Sequence, residues 1–117
     1  MREPLRDKER LEHMLAAAER VIRYTSGKSF ENLKADDMMY YAVVKNIEII
    51  GEAANMLTFE FRESHSELQW RQITNMRNFL IHGYHNVEED LVWEAISVDL
   101  YQIREKIVKY LEEFETK

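Results

Sequence analysis

One stretch of this 117-residue chain gathers groups that chemistry uses and an apolar core does not: Arg77-Asn78-Phe79-Leu80-Ile81-His82, followed at once by Gly83-Tyr84. A guanidinium keeps its charge at any pH a protein meets, an amide both donates and accepts, and an imidazole moves protons near neutrality. A permanent cation, an amide and a proton carrier within six residues are what a site that handles phosphate requires.

The spacing predicts the element that carries them. From Trp70, apolar side chains recur at Ile73, Met76 and Leu80 with Ile81 beside them, a 3.6-residue stripe. Gly83 suits the position just past a helix end, which places His82 in or next to the last turn. At about 100° per residue, Arg71, Asn75, Asn78 and His82 share one polar face, and Arg77 projects close to the apolar stripe. A guanidinium beside apolar surface needs an anion or several acceptors. His82 at a helix C-terminus sits near partial negative charge, which favours its protonated form. A purely structural reading also exists: Arg77 paired with a carboxylate such as Glu52, His82 as a C-terminal cap, Tyr84 as the start of a loop.

Upstream, a helix running from about Asp37 to Phe59 carries Val43, Ile47, Ile50, Ala54 and Leu57 at spacings of four and three. It contains Ile47-Glu-Ile-Ile-Gly51-Glu-Ala-Ala54, whose small residues allow close helix approach, within the domain or across a dimer. The first helix spans about Leu5 to Tyr24 with Leu11, Met14, Leu15, Ala18, Val21 and Ile22 inward, and Thr25-Ser26-Gly27-Lys28 ends it. Ser29 caps a short turn through Phe30 and Leu33. Residues 60–68 read as a charged connection, with Ser66 as the cap before the motif helix. Asn86-Val-Glu-Glu89 opens a final helix lined by Leu91, Val92, Ile96, Leu100, Ile103, Ile107, Leu111 and Phe114. The whole chain is one all-α domain, an up-down antiparallel bundle of four main helices plus a short connecting helix. Met38-Met39-Tyr40-Tyr41 exceeds one stripe and reads as core plus oligomer contact.

Trp70, Met76-Arg77-Asn78, His82 and Tyr84, the Ile-Gly-Glu-Ala segment around Gly51 and the Val92-Trp93 pair together resemble the HEPN superfamily. The resemblance is to HepT-like toxins of MNT/HEPN toxin–antitoxin pairs, whose signature is Arg, four residues, His, any residue, Tyr. It covers nearly the whole chain. It implies a metal-independent endoribonuclease, the toxin of a type VII-like toxin–antitoxin system. Arg77, Asn78 and His82 are then catalytic, with no cofactor and no bound metal. The implied partners are a second copy of the chain, an RNA substrate (tRNA or mRNA) and a cognate MNT nucleotidyltransferase antitoxin that attaches AMP to Tyr84.

RNA chemistry reaches the homodimer independently. The RNA's own 2′-hydroxyl attacks the adjacent phosphorus, so the protein supplies a base, an acid for the departing 5′-oxygen, and cations for the phosphoryl charge. A single His82 cannot easily serve both proton transfers, whereas a two-fold pairing brings two His82 and two Arg77 into one cleft. Two other readings use the same residues. One is a non-catalytic HEPN dimer that binds a nucleotidyltransferase or a nucleotide. The other is a metal-dependent hydrolase built on His82 and His85 with Glu88, Glu89 or Asp90.

Composition narrows the classes. With no cysteine there is neither a disulfide framework nor a thiolate site, and no apolar run nears the ~18 residues of a membrane span. The charged N-terminus does not read as a secretory signal, so the expected compartment is the cytoplasm. The net charge of -6 opposes broad RNA coating. Residues 87–117 carry nine acids and four bases, however, whereas residues 60–86 carry three of each plus His65, His82 and His85. This distribution suits a small site that engages a few phosphates.

Overall fold

The computed structural model describes the backbone of residues 4–82 and 89–115, and the side chains of residues 6–76 and 92–115. Helix α1 (Pro4–Thr25) turns Leu11, Met14, Ala17, Ala18 and Val21 fully inward. It ends where the Thr25 hydroxyl donates to the Val21 carbonyl at 2.7 Å and Gly27 takes a φ of 73°, a left-handed conformation that favours glycine. The expected short turn is helix α2 (Phe30–Ala35), opened by a reciprocal capping box. The Ser29 hydroxyl accepts from the Asn32 N–H at 3.1 Å, and Asn32 Oδ1 accepts from the Ser29 N–H at 2.9 Å. Asp36 then caps α3 (Asp37–Asn55) by accepting from the Met39 N–H.

Helix α3 is the central element, packed against α1 on one side and α5 (Trp70–His82) on the other. Its buried residues run Met39, Val43, Ile47, Ile50 and Ala54, with Gly51 and Ala53 also buried. Within the Met38–Tyr41 segment, Met39 enters the core, while Met38 and Tyr41 remain 85% and 69% exposed.

Two boundaries differ from the sequence reading. Helix α3 stops at Asn55 rather than Phe59, and the supposed charged connection contains a further helix, α4 (Phe59–Ser64). The cause is Thr58, whose hydroxyl accepts from the Phe61 N–H at 3.1 Å and so starts a new helix. Asp7 of α1 fixes that cap across 51 residues: its Oδ1 accepts from the Thr58 N–H at 2.9 Å and its Oδ2 from the Thr58 hydroxyl at 2.7 Å. Ser66 does not cap α5. It lies in the turn before, and the Gln69 carbonyl accepts the first helical bond, from Ile73.

The final helix is continuous but not uniform. Helix α6 (Glu89–Glu94) passes through a π-helical turn (Ala95–Asp99) into α7 (Leu100–Glu115), with the Leu100 N–H reaching back five residues to the Ala95 carbonyl. Val92, Ile96 and Leu100 recur at four and four, and each such step on an α-helix drifts by about 40°. One extra residue in the turn returns Leu100 to the buried face, where Ile103, Ile107 and Tyr110 follow. Helix α7 closes the bundle against α1, and Trp93 of α6 lies 6.0 Å from the Phe30 ring of α2. The result is an all-α bundle of four main helices.

Replacing Thr58 by Val keeps its shape but removes a helix cap and strands the buried Asp7 carboxylate without a hydroxyl donor. The urea midpoint should fall by the equivalent of about 2–4 kcal/mol, with an unchanged slope against denaturant.

Candidate functional site

Helix α5 is secured at its N-terminal end. Trp70 is buried, and its indole N–H donates to the His65 carbonyl at 2.8 Å. Its ring meets Phe61 edge-on at 6.1 Å and Tyr110 at 6.2 Å. His65 completes this aromatic knot: it stacks on Phe61 at 3.9 Å, its Nε2 lies 2.7 Å from Glu113 Oε1, and its Nδ1 lies 2.9 Å from the Phe61 carbonyl. The Tyr110 hydroxyl donates to Glu67 at 2.8 Å. Burial, reinforced by that bond, raises the Tyr110 hydroxyl well above its ordinary range, and the same bond holds the Glu67 carboxyl below its usual one.

With Trp70 and Ile73 buried, the register of α5 is set. Arg77 follows Ile73 by four residues and Trp70 by seven, so its backbone position falls on the side of the helix from which Trp70 and Ile73 enter the core. Asn78 and His82 continue the register of Arg71 and Asn75, one turn apart in the last two turns and about 6 Å along the axis. The helix therefore brings the three proposed catalytic positions to one end of one element. The side chains of Arg77, Asn78 and His82 lie outside the described residues, and Tyr84 and His85 do so entirely. The proposed pairing of Arg77 with Glu52 and the His82/His85 metal set fall outside them too. Among the described residues, no three His, Asp or Glu side chains form a metal-ligand group.

Charge distinguishes α5 from its neighbours. In a chain with 22 acids, its 13 residues hold two arginines and no carboxylate. Each of the other helices, and the π turn, contains at least one acid. Two clefts flank this helix. The first, about 330 Å³, lies between α5 and α7 and is lined by Gln72, Met76, Gln102 and Asp99 of the π turn. Partial desolvation in this cleft, with a smaller push from Glu94, raises the carboxyl of the otherwise exposed Asp99 above its ordinary range. The second, about 500 Å³, opens between α5 and the α3–α4 connection and is lined by Asn55, Arg62, Arg71, Thr74 and Asn75, with Phe59 at its edge. The sequence reading placed Arg71 and Asn75 on the polar face of the motif helix. Arg62 and Phe59 are not among its candidates, because residues 60–68 read as a charged connection and Phe59 as the end of the preceding helix, whereas both belong to α4.

The raised Asp99 carboxyl gives a signed expectation. An acid whose folded pKa lies above its unfolded one contributes stability at pH values where both states are protonated, and loses it as pH rises through the folded value. Asp99→Asn should thus raise the melting temperature near pH 7, and the gain should vanish near pH 3. Thermal scans of both proteins across that range decide the matter.

Comparison with known proteins adds the family. The model of the HepT-like ribonuclease family, described as "Ribonuclease HepT-like", matches residues 14–110. A Caldanaerobacter subterraneus protein named "Putative RNase" is 38% identical over 87% of this chain and 91% of its own length. A Thermococcus cleftensis protein named "Probable ribonuclease HepT" is 32% identical over 87% of this chain and 93% of its own. A Methanocaldococcus jannaschii protein, "Gamma-glutamylcyclotransferase and putative RNase", is 35% identical over 90% of this chain, which spans 47% of that longer protein. No solved structure matches. An all-α bundle whose carboxylate-free helix carries Arg77, Asn78 and His82, matched over most of its length by this family model, belongs to the HepT-like ribonucleases of the HEPN superfamily.

Proposed function

We propose that this ribonuclease cleaves RNA internally and without a metal, at a composite site where two copies of α5 meet across a two-fold axis. The observation that carries this reading is the placing of Arg77, Asn78 and His82 in the last two turns of a helix without carboxylates, in a chain of the HepT-like family. One His82 takes the proton from the 2′-hydroxyl, and the 2′-oxygen attacks the adjacent phosphorus. The P–O5′ bond breaks, and the 5′-oxygen leaves with a proton from the partner's His82. The strands so produced end in a 2′,3′-cyclic phosphate and a 5′-hydroxyl. Arg77 neutralises the charge that grows on the phosphoryl oxygens, and Asn78, one turn before His82, orients the imidazole or binds a phosphoryl oxygen.

The same reading makes the protein the toxin of a type VII-like toxin–antitoxin pair in the cytoplasm. Its cognate MNT nucleotidyltransferase silences it by attaching AMP to Tyr84. Two residues from His82, that group adds phosphate charge and bulk at the mouth of a site built for phosphate. No helix among the described residues is long and apolar enough to cross a membrane, which agrees with an RNA substrate met in solution.

Arg77→Ala and His82→Ala should each reduce cleavage by at least about 10²-fold, with helicity and dimer mass unchanged. Wild-type activity should persist in excess EDTA. Full activity in either variant removes the role assignment. A clean wild-type dimer that binds nucleotide but cuts no RNA favours the non-catalytic HEPN reading instead. Co-expression with the neighbouring nucleotidyltransferase should yield a chain heavier by whole AMP units, lost in Tyr84→Phe; a silenced toxin of unmodified mass refutes modification at that residue.

A further inference from the structure

The cleft between α5 and the α3–α4 connection holds two guanidinium groups, Arg62 and Arg71, and neither forms an ion pair with a described carboxylate. Arg62 Nε and Thr74 Oγ1 are buried and have no hydrogen-bond partner among the described residues, although both residues line this cleft. Buried donors without acceptors are costly, and a guanidinium cannot relieve the cost by losing its proton. Amides from Asn55 and Asn75 complete a set able to bind phosphate oxygens. Among the described residues, Glu63 is the one acid lining the cleft. At its edge Phe59 stands 64% exposed, an aromatic face available to a planar base.

Guanidinium groups beside an exposed aromatic ring suit single-stranded nucleic acid, in which the backbone is tracked by cations while unstacked bases find a π-face. Register joins this cleft to the cleavage site. Arg71 and Asn75 lie on the same stripe of α5 as Asn78 and His82, and Arg71 precedes His82 by 11 residues, about 16 Å along the axis. We infer that the Arg62–Arg71 cleft is a substrate subsite that holds the backbone of single-stranded RNA a few nucleotides from the cleaved linkage, with one base stacked on Phe59. This rests on the ribonuclease reading for its biological use, but the binding it describes is measured without cleavage.

The test uses a fluorescent, fully 2′-O-methylated oligonucleotide, which lacks the attacking hydroxyl, titrated into the full-length protein at several salt concentrations. The double variant R62Q/R71Q should bind roughly tenfold more weakly at low salt. Its slope of log affinity against log salt should be shallower by about 1.4, the share of two phosphates on a single strand. R71E, at an exposed position that spares the fold, should weaken binding further than R71Q, and F59A should weaken it without altering the salt slope. On cleavable RNA, R71Q should raise KM more than it lowers kcat. Unchanged affinity and salt slope in R71E and R62Q/R71Q, with circular dichroism showing intact helices, overturn the subsite and leave the cleavage reading standing. Equal binding of a duplex of the same sequence overturns the single-strand assignment. If the wild type cuts nothing yet the variants lose binding as described, the subsite stands and the cleavage reading falls.

Discussion

A helix kept free of carboxylates needs something other than surface ion pairs to hold it in place, and in this bundle the anchor is Trp70. Its indole donates to the His65 carbonyl while its ring sits among Phe61 and Tyr110, so one side chain ties α5 to α4 and α7. Burying an aromatic of this size contributes several kcal/mol, far more than an exposed ion pair would. Because the anchor occupies the first turn, the register of everything downstream is decided before the chemistry begins. The positions of Arg77, Asn78 and His82 follow from Trp70 and Ile73 by helical geometry alone.

The uneven charge follows from the same arrangement. The chain carries a net -6, yet its acids are spread over every helix except the one that bears the motif. An acidic exterior keeps such a small protein soluble and discourages indiscriminate adhesion to nucleic acid. On α5, by contrast, Arg71 and Arg77 have no acid on their own helix to offset them. Two carboxylates beside the Trp70 anchor are themselves engaged: Glu67 accepts from Tyr110, and Glu113 faces His65.

Much of this was legible before any coordinates. Period-3.6 stripes placed α1, α3, α5 and the final helix, and Gly27 was a readable stop because its left-handed backbone suits that residue. The family was legible in Arg77, Asn78, His82 and Tyr84. What escaped notice depended on contacts remote in sequence. Asp7 fixes Thr58 from 51 residues away, and without that bond the short charged stretch between Phe59 and Leu68 gives no sign of a helix. With Phe59 read as the end of one helix and Arg62 as part of a connection, nothing in the sequence joins them to Arg71; only the fold brings the three to one cleft. The π turn was equally hidden, because four-residue spacing of apolar side chains is compatible with an ordinary helix.

That turn between Ala95 and Asp99 bears on how such a chain tolerates length changes. It amounts to a single surplus amino acid carried inside an otherwise regular rod, and the widened turn absorbs the roughly 100° which that residue would add to a plain α-helix, so the faces before and after it stay aligned. Were the turn to close into ordinary α-helix with that residue retained, Val92 and Trp93 would swing away from their neighbours even though no residue had changed type. Removing one residue from this turn should therefore leave a plain α-helix with both faces in place, so that a helix interior, and not only a surface link, can change length without disturbing the core.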